Sequence, residues 1–143
     1  MPSDWSMSAM NHVHRALIRL TRGRVGWSAA GMLAVELTTI GRKSGERRST
    51  MLTVPVRDGD GYVIVASRGG DDKHPAWFLN LRDNPHVDVV IGGEPSVPMT
   101  ARIADADTRA RLWPQITAKY RNYAGYQQKT SREIPVVILE PRS

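Results

Sequence analysis

The chain has 143 residues, enough for one domain with its own core, and no cysteine, which excludes disulfide frameworks and thiolate metal sites. Its formal charge of +6, from 20 Lys and Arg against 14 Asp and Glu, favours anionic partners such as nucleic acid, an anionic cofactor or an acidic membrane surface. No apolar run approaches the roughly 20 residues of a membrane helix and no basic-then-apolar start marks a signal peptide, so a cytoplasmic protein is expected.

The first element is a helix over residues 4 to about 22. Trp5, Met7, Met10, Val13, Leu17 and Leu20 give it an apolar stripe, with Arg15, Arg19 and Arg22 elsewhere. Such a helix packs on its own domain or rests on an anionic membrane, and the sequence leaves both open. Gly23 and Gly26 end it, so residues 1–31 read as helix plus loop and residues 32–143 as the main body of one domain.

Strands follow at Met32–Ile40, Arg48–Arg57 and Gly61–Ser67, the last two joined as a hairpin through Asp58-Gly59-Asp60-Gly61. Pro55 inside the second strand predicts an edge, a bulge or a bend. Pro75 opens a short helix that Asn84-Pro85 closes. Strands at Val87–Ile91 and Val97–Ala104 come next, then a helix over 106–120 capped by Asp105, in which Pro114 predicts a bend or a break. A last strand covers Pro135–Leu139. Five or six strands with short links and helices outside them, without β-α-β alternation, predict an α+β fold built on an antiparallel sheet or small barrel.

The turn at residues 40–50 concentrates Arg42, Lys43, Arg47 and Arg48 around Gly41 and Gly45. It reads either as a solvated hairpin tip or as a cradle for phosphate or carboxylate oxygens, in which glycines turn backbone N–H groups inward. A second polar glycine loop spans residues 68–74. Tyr120, Tyr123 and Tyr126 are spaced by three and would share a face if helical, packing in the core or covering a flat ligand. The polar residues around them favour a partly exposed face. Walker, dinucleotide and nucleophile-elbow motifs are absent, and the histidines lack metal spacing, so no metal is expected.

Four blocks carry a more specific signal. Leu37-Thr38-Thr39-Ile40-Gly41-Arg42-Lys43-Ser44-Gly45, Val65-Ala66-Ser67-Arg68-Gly69-Gly70, Pro75-Ala76-Trp77-Phe78-Leu79-Asn80-Leu81 and Arg132-Glu133-Ile134-Pro135-Val136 occur in an order and spacing that resembles the deazaflavin-dependent nitroreductase family. That family comprises coenzyme F420-dependent reductases of actinobacteria, and the resemblance covers about residues 32–141. It implies a split β-barrel of the flavin-reductase and pyridoxamine-phosphate-oxidase type with peripheral helices, and makes residues 32–143 a coenzyme-binding body.

The same resemblance implies site residues. Arg42, Lys43 and Arg48 would meet the phosphate and carboxylates of the coenzyme tail, with Gly41, Ser44 and Gly45 shaping the turn. Ser67, Arg68 and Gly69 would approach the phosphate and deazaflavin, and Ala76, Trp77 and Asn80 would lie along the ring system or support the turn. Tyr120, Tyr123 and Tyr126 would line the substrate pocket, one of them donating a proton. The implied activity is hydride transfer from reduced F420 to a small-molecule acceptor: an activated alkene (enone or lactone), a quinone or a nitro compound. Met51, Leu52 and Thr53 depart from the nitro-drug-reducing members. The alternatives are a non-catalytic F420 or FMN carrier and an anionic-ligand or nucleic-acid module. A nucleic-acid partner is not expected, membrane association through the first helix stays open, and the oligomeric state is not determined.

Overall fold

The computed structural model describes residues 28–29 and 32–142. The helix expected over residues 4–22, and the membrane contact tied to it, lie outside these residues. Among the described residues, no helix is long and apolar enough to cross a membrane.

Among the described residues, runs of β-branched and aliphatic residues form eight strands: β1 (Ser28–Ala29), β2 (Met32–Ile40), β3 (Arg47–Val54), β4 (Val56–Asp58), β5 (Gly61–Val65), β6 (His86–Ile91), β7 (Val97–Ile103) and β8 (Val136–Pro141). Three α-helices accompany them among the same described residues: α1 (Ala76–Asp83), α2 (Ala106–Lys119) and α3 (Asn122–Gln128). Every pairing is antiparallel. The sheet reads β3-β2-β6-β7-β8-β5-β4, with the β1 stub on the first residues of β2.

Pro55 explains how the sheet curls. It lacks an N–H for the ladder and turns the chain between β3, which pairs with β2, and β4, which pairs with β5. One stretch, residues 47–58, therefore supplies both outermost strands. The bend predicted at Pro55 divides the expected Arg48–Arg57 strand in two, and the hairpin expected at 58–61 is present, with Asp58 opposite Gly61.

Period-two alternation gives the strands two buried faces. Ile64, Val137 and Leu139 join Val35, Leu37, Val89 and Met99 in one core, closed by Phe78 and Leu81 of α1. Val63, Val65, Val136 and Ile138 face the other way, where Leu112 and Ile116 of α2 and Tyr123 of α3 cover them. The architecture is the expected antiparallel split β-barrel with peripheral helices.

The main differences lie in the second half. Asp105 caps α2, its carboxylate accepting the Thr108 amide at 2.8 Å, and the helix runs through Pro114 without breaking. It stops at Lys119, because Tyr120 takes an extended conformation (φ −134°, ψ 95°) that starts a new direction before α3. The three tyrosines therefore do not share one helical face.

Candidate active site

The site begins at the turn between β2 and β3. The Gly41 amide donates to Glu46 O (2.7 Å), the Gly45 amide to Gly41 O (2.8 Å), and the Glu46 amide to Ser44 Oγ (3.1 Å). Gly45 sits at φ +72°, a left-handed conformation that suits glycine. A Cβ on Gly41 would lie 2.6 Å from Ser44 Oγ, so a side chain there would displace the hydroxyl that holds Glu46. These bonds, with that of the Arg42 amide below, engage four of the turn's amides internally. Any anion recognised here meets side chains more than a ring of free N–H groups.

The basic side chains differ in their engagement. Arg48 pairs with Glu46 at 3.2 Å and Arg47 with Asp88 at 3.0 Å. Arg42 and Lys43 are exposed and form no ion pair with the described residues. They are the cations most available to a ligand.

Helix α1 fixes this turn from the other side. Pro75 stands before its first turn in extended conformation, and Asn84, extended as a residue before proline must be, ends it. Asn80 is buried in its middle. Its Oδ1 accepts the Arg42 amide at 3.1 Å, and its Nδ2 donates to Thr39 Oγ1 at 3.1 Å. Asn80 thus supports the turn. Ala76 is exposed and Trp77 half-buried, with the Trp77 ring edge-on to Phe78.

The third component is the loop after β5, a single tight turn over Arg68–Gly70. Arg68 has φ +47°, the only positive φ of a non-glycine among the described residues, and Gly69 and Gly70 follow at +65° and +86°. A left-handed arginine is held there by its surroundings, a condition that often marks functional sites. Its guanidinium is 3.4 Å from the Asp71 carboxylate. Gly70 lies under α3: a Cβ on it would fall 2.8 Å from Tyr126 O.

These three components surround a groove of ≈ 510 Å³. Nine residues expected from the sequence line it: Gly41, Arg42, Lys43, Ser44, Arg48, Arg68, Ala76, Trp77 and Asn80. Gly45, Ser67 and Gly69 are not among its lining residues and act, on this geometry, by shaping the two loops. Thr39, Ser49, Thr50 and Pro75 line the groove without having been singled out. The signal for Thr39, Ser49 and Thr50 was hydroxyl residues flanking a basic glycine turn on both strands, and that for Pro75 its place before the first turn of α1. Among the described residues, no acidic side chain lines the groove, whereas four basic ones do, opposite an apolar wall of Pro75, Ala76 and Trp77.

The tyrosines stand apart from this groove. Tyr123 is buried in the second core, its hydroxyl 3.1 Å from Thr53 Oγ1 and 3.7 Å from Met32 Sδ. Burial raises its pKa above the usual value, against the lowering effect of the Thr53 hydrogen bond, so the phenol stays neutral. The partly exposed face expected for the trio therefore fails at Tyr123. Tyr120 and Tyr126 are half-buried beside it, Tyr126 edge-on to Tyr123 at 5.9 Å. The described residues contain no cluster of metal-ligating side chains.

Comparison with known proteins finds relatives over most of the chain. The model of the F420H(2)-dependent quinone reductase family matches residues 10–141. The F420H(2)-dependent quinone reductase Rv1261c of Mycobacterium tuberculosis is 41% identical over 136 residues, covering 91% of this chain and 89% of that protein. A solved F420-H2 dependent reductase (FDR-A) superposes with a TM-score of 0.65 at 42% identity, over 75% of this chain and 93% of that one. A Listeria innocua structure described as a pyridoxamine 5'-phosphate oxidase shares the fold at 17% identity (TM-score 0.54), covering 92% of this chain and 94% of that one.

Proposed function

The chain belongs to the F420H(2)-dependent quinone reductase family, and we propose that it uses its basic groove to hold reduced F420 for transfer of a hydride to a quinone. It is an F420-dependent reductase, with coenzyme F420 as its cofactor. The observation that carries the groove assignment is its lining: among the described residues, four basic and no acidic side chains facing an apolar wall, a match for a flat ring with a polyanionic tail.

Arg42 and Lys43 would take the phosphate and carboxylates of the tail, since neither is neutralised by a described residue. Arg48 would contribute less, being shared with Glu46. Trp77, Ala76 and Pro75 would exclude water from one side of the ring system. Arg68 reaches the groove from the opposite loop and adds positive charge there. When bound, the reduced deazaflavin supplies the hydride.

The acceptor oxygen then needs a hydrogen-bond donor and a proton. Tyr123 is a poor donor for this, because its hydroxyl is already engaged in the core. Tyr126 and Tyr120, half-buried on the segment packed over the Arg68 loop, are the proposed donors, with solvent as the competing source. A quinone is preferred among acceptors because the chain is so similar to a relative named for quinone reduction. Enone, lactone and nitro substrates are secondary readings.

The test is anaerobic mixing of the purified protein with F420H2 and, separately, a soluble quinone, an enone and a nitroarene, while deazaflavin absorbance is followed. Oxidation dependent on protein and quinone is expected. Turnover with the enone or nitroarene but with no quinone would overturn the choice of acceptor.

A further inference from the structure

Arg132 lies in the segment before β8, yet its guanidinium closes around the loop that carries Arg68. Nη1 donates to Ala66 O at 3.2 Å, Nη2 to Ser67 O at 2.9 Å and Nε to Asp71 O at 2.8 Å. Nη1 also lies 3.2 Å from His74 Nδ1. Two of the three carbonyls precede the left-handed run Arg68-Gly69-Gly70 and one follows it. One planar side chain therefore clamps both ends of a turn whose central arginine is in an unfavourable conformation.

The clamp is itself anchored. Gln127 of α3 donates Nε2 to Arg132 O at 2.7 Å, while its Oε1 accepts the Ile134 amide at 2.9 Å and Arg109 Nη2 at 3.1 Å. The Arg132 guanidinium thus ties α2, α3 and the segment before β8 to the loop, beside the packing of Gly70 under Tyr126 and the bond of the Ala66 amide to Pro135 O at 2.9 Å. An ammonium could not reproduce this, because three divergent carbonyls need the fork of fixed N–H directions.

We propose that Arg132 is a positioning residue that holds Arg68 in its left-handed conformation at the edge of the groove, and so governs coenzyme affinity without touching the coenzyme. The link to affinity rests on the deazaflavin reading above; the clamp itself does not.

The test uses Arg132→Lys, Arg132→Ala, Arg68→Ala and the double Arg68→Ala/Arg132→Ala variant. The first readout, without ligand, is hydrogen exchange at Gly70 and Asp71, whose amides bond to Ser67 O and Arg68 O inside the turn. In Arg132→Lys these amides exchange about tenfold faster or more, while those of β2 and β8 are unchanged. Unchanged exchange at Gly70 and Asp71 would overturn the clamp. The second readout is F420 titration: each single variant binds about tenfold more weakly, and the double variant no more weakly than Arg68→Ala alone. Multiplying losses would show that Arg132 does not act through Arg68. Failure of the unmodified protein to bind F420 would instead remove the functional reading, leaving exchange to decide the clamp.

Discussion

Asn80 and Arg42 are 38 residues apart in sequence, yet the side chain of the first receives the backbone amide of the second at 3.1 Å. The same amide group of Asn80 reaches Thr39, so a single buried residue of α1 grips the basic turn on both its strand side and its tip. The turn is not a free hairpin end. Its cations are presented by a backbone held to the helix that forms the apolar wall.

Asn80→Ala should therefore act twice. Removing the side chain leaves the Arg42 amide and the Thr39 hydroxyl without partners, at a cost of about 1–3 kcal/mol. Urea unfolding would show this, and F420 affinity should fall as the turn loosens. A variant of full stability and full affinity would refute the grip.

Lys43→Ala and Arg42→Ala should weaken F420 binding, each by more than Arg48→Ala, because Glu46 already shares Arg48. The loss should shrink as salt rises, since Arg42, Lys43 and Arg48 are exposed and screened. Fluorescence titration at low and high ionic strength is the check. Equal losses at all three positions would contradict the ranking.

The tyrosines should separate by role. Tyr123→Phe removes a buried hydroxyl bonded to Thr53 and should cost about 1 kcal/mol of stability with little change in kcat. Tyr126→Phe or Tyr120→Phe should lower kcat with little change in stability. Unchanged turnover when all three are phenylalanine would assign the proton to solvent.

Acid should loosen the Arg68 loop through His74. Burial first, then the charges of Arg132 and Arg82, lower its pKa below the ordinary 6.5, so neutral imidazole is the form that suits the fold. The unfolded chain then binds the proton more readily. The stability contributed by neutral His74 is complete above about pH 6.5 and declines as pH falls through its lower folded value. His74→Gln should flatten this part of the stability profile, measured as urea midpoint against pH. An unaltered profile would exclude His74 as its source.

The strands were legible because alternation and continuous apolar runs both encode buried faces, as in Val136 to Leu139. Pro55 announced its bend because proline cannot continue a ladder. Of the nine expected groove residues, Gly41, Arg42, Lys43 and Arg48 were visible as chemistry at a glycine turn, and the family resemblance added Ser44, Arg68, Ala76, Trp77 and Asn80. What sequence could not convey was long-range placement. Arg132 opens one of the four blocks of the resemblance, but nothing in the sequence names its partners, the carbonyls of Ala66, Ser67 and Asp71 at least 61 positions earlier. The tyrosine spacing suggested one helix face because nothing local predicts the extended backbone at Tyr120. Tyr123 turned inward for a tertiary reason, the Thr53 partner on β3.

The stretch 47–58 has a consequence beyond shape. Because it covers β2 with one half and β5 with the other, any opening that peels it away bares two unpaired strands at once, each rich in valine, isoleucine or leucine. A partly opened molecule would then offer another chain two templates for strand pairing. The single bend at Pro55 is what keeps both edges occupied by the same short piece of chain.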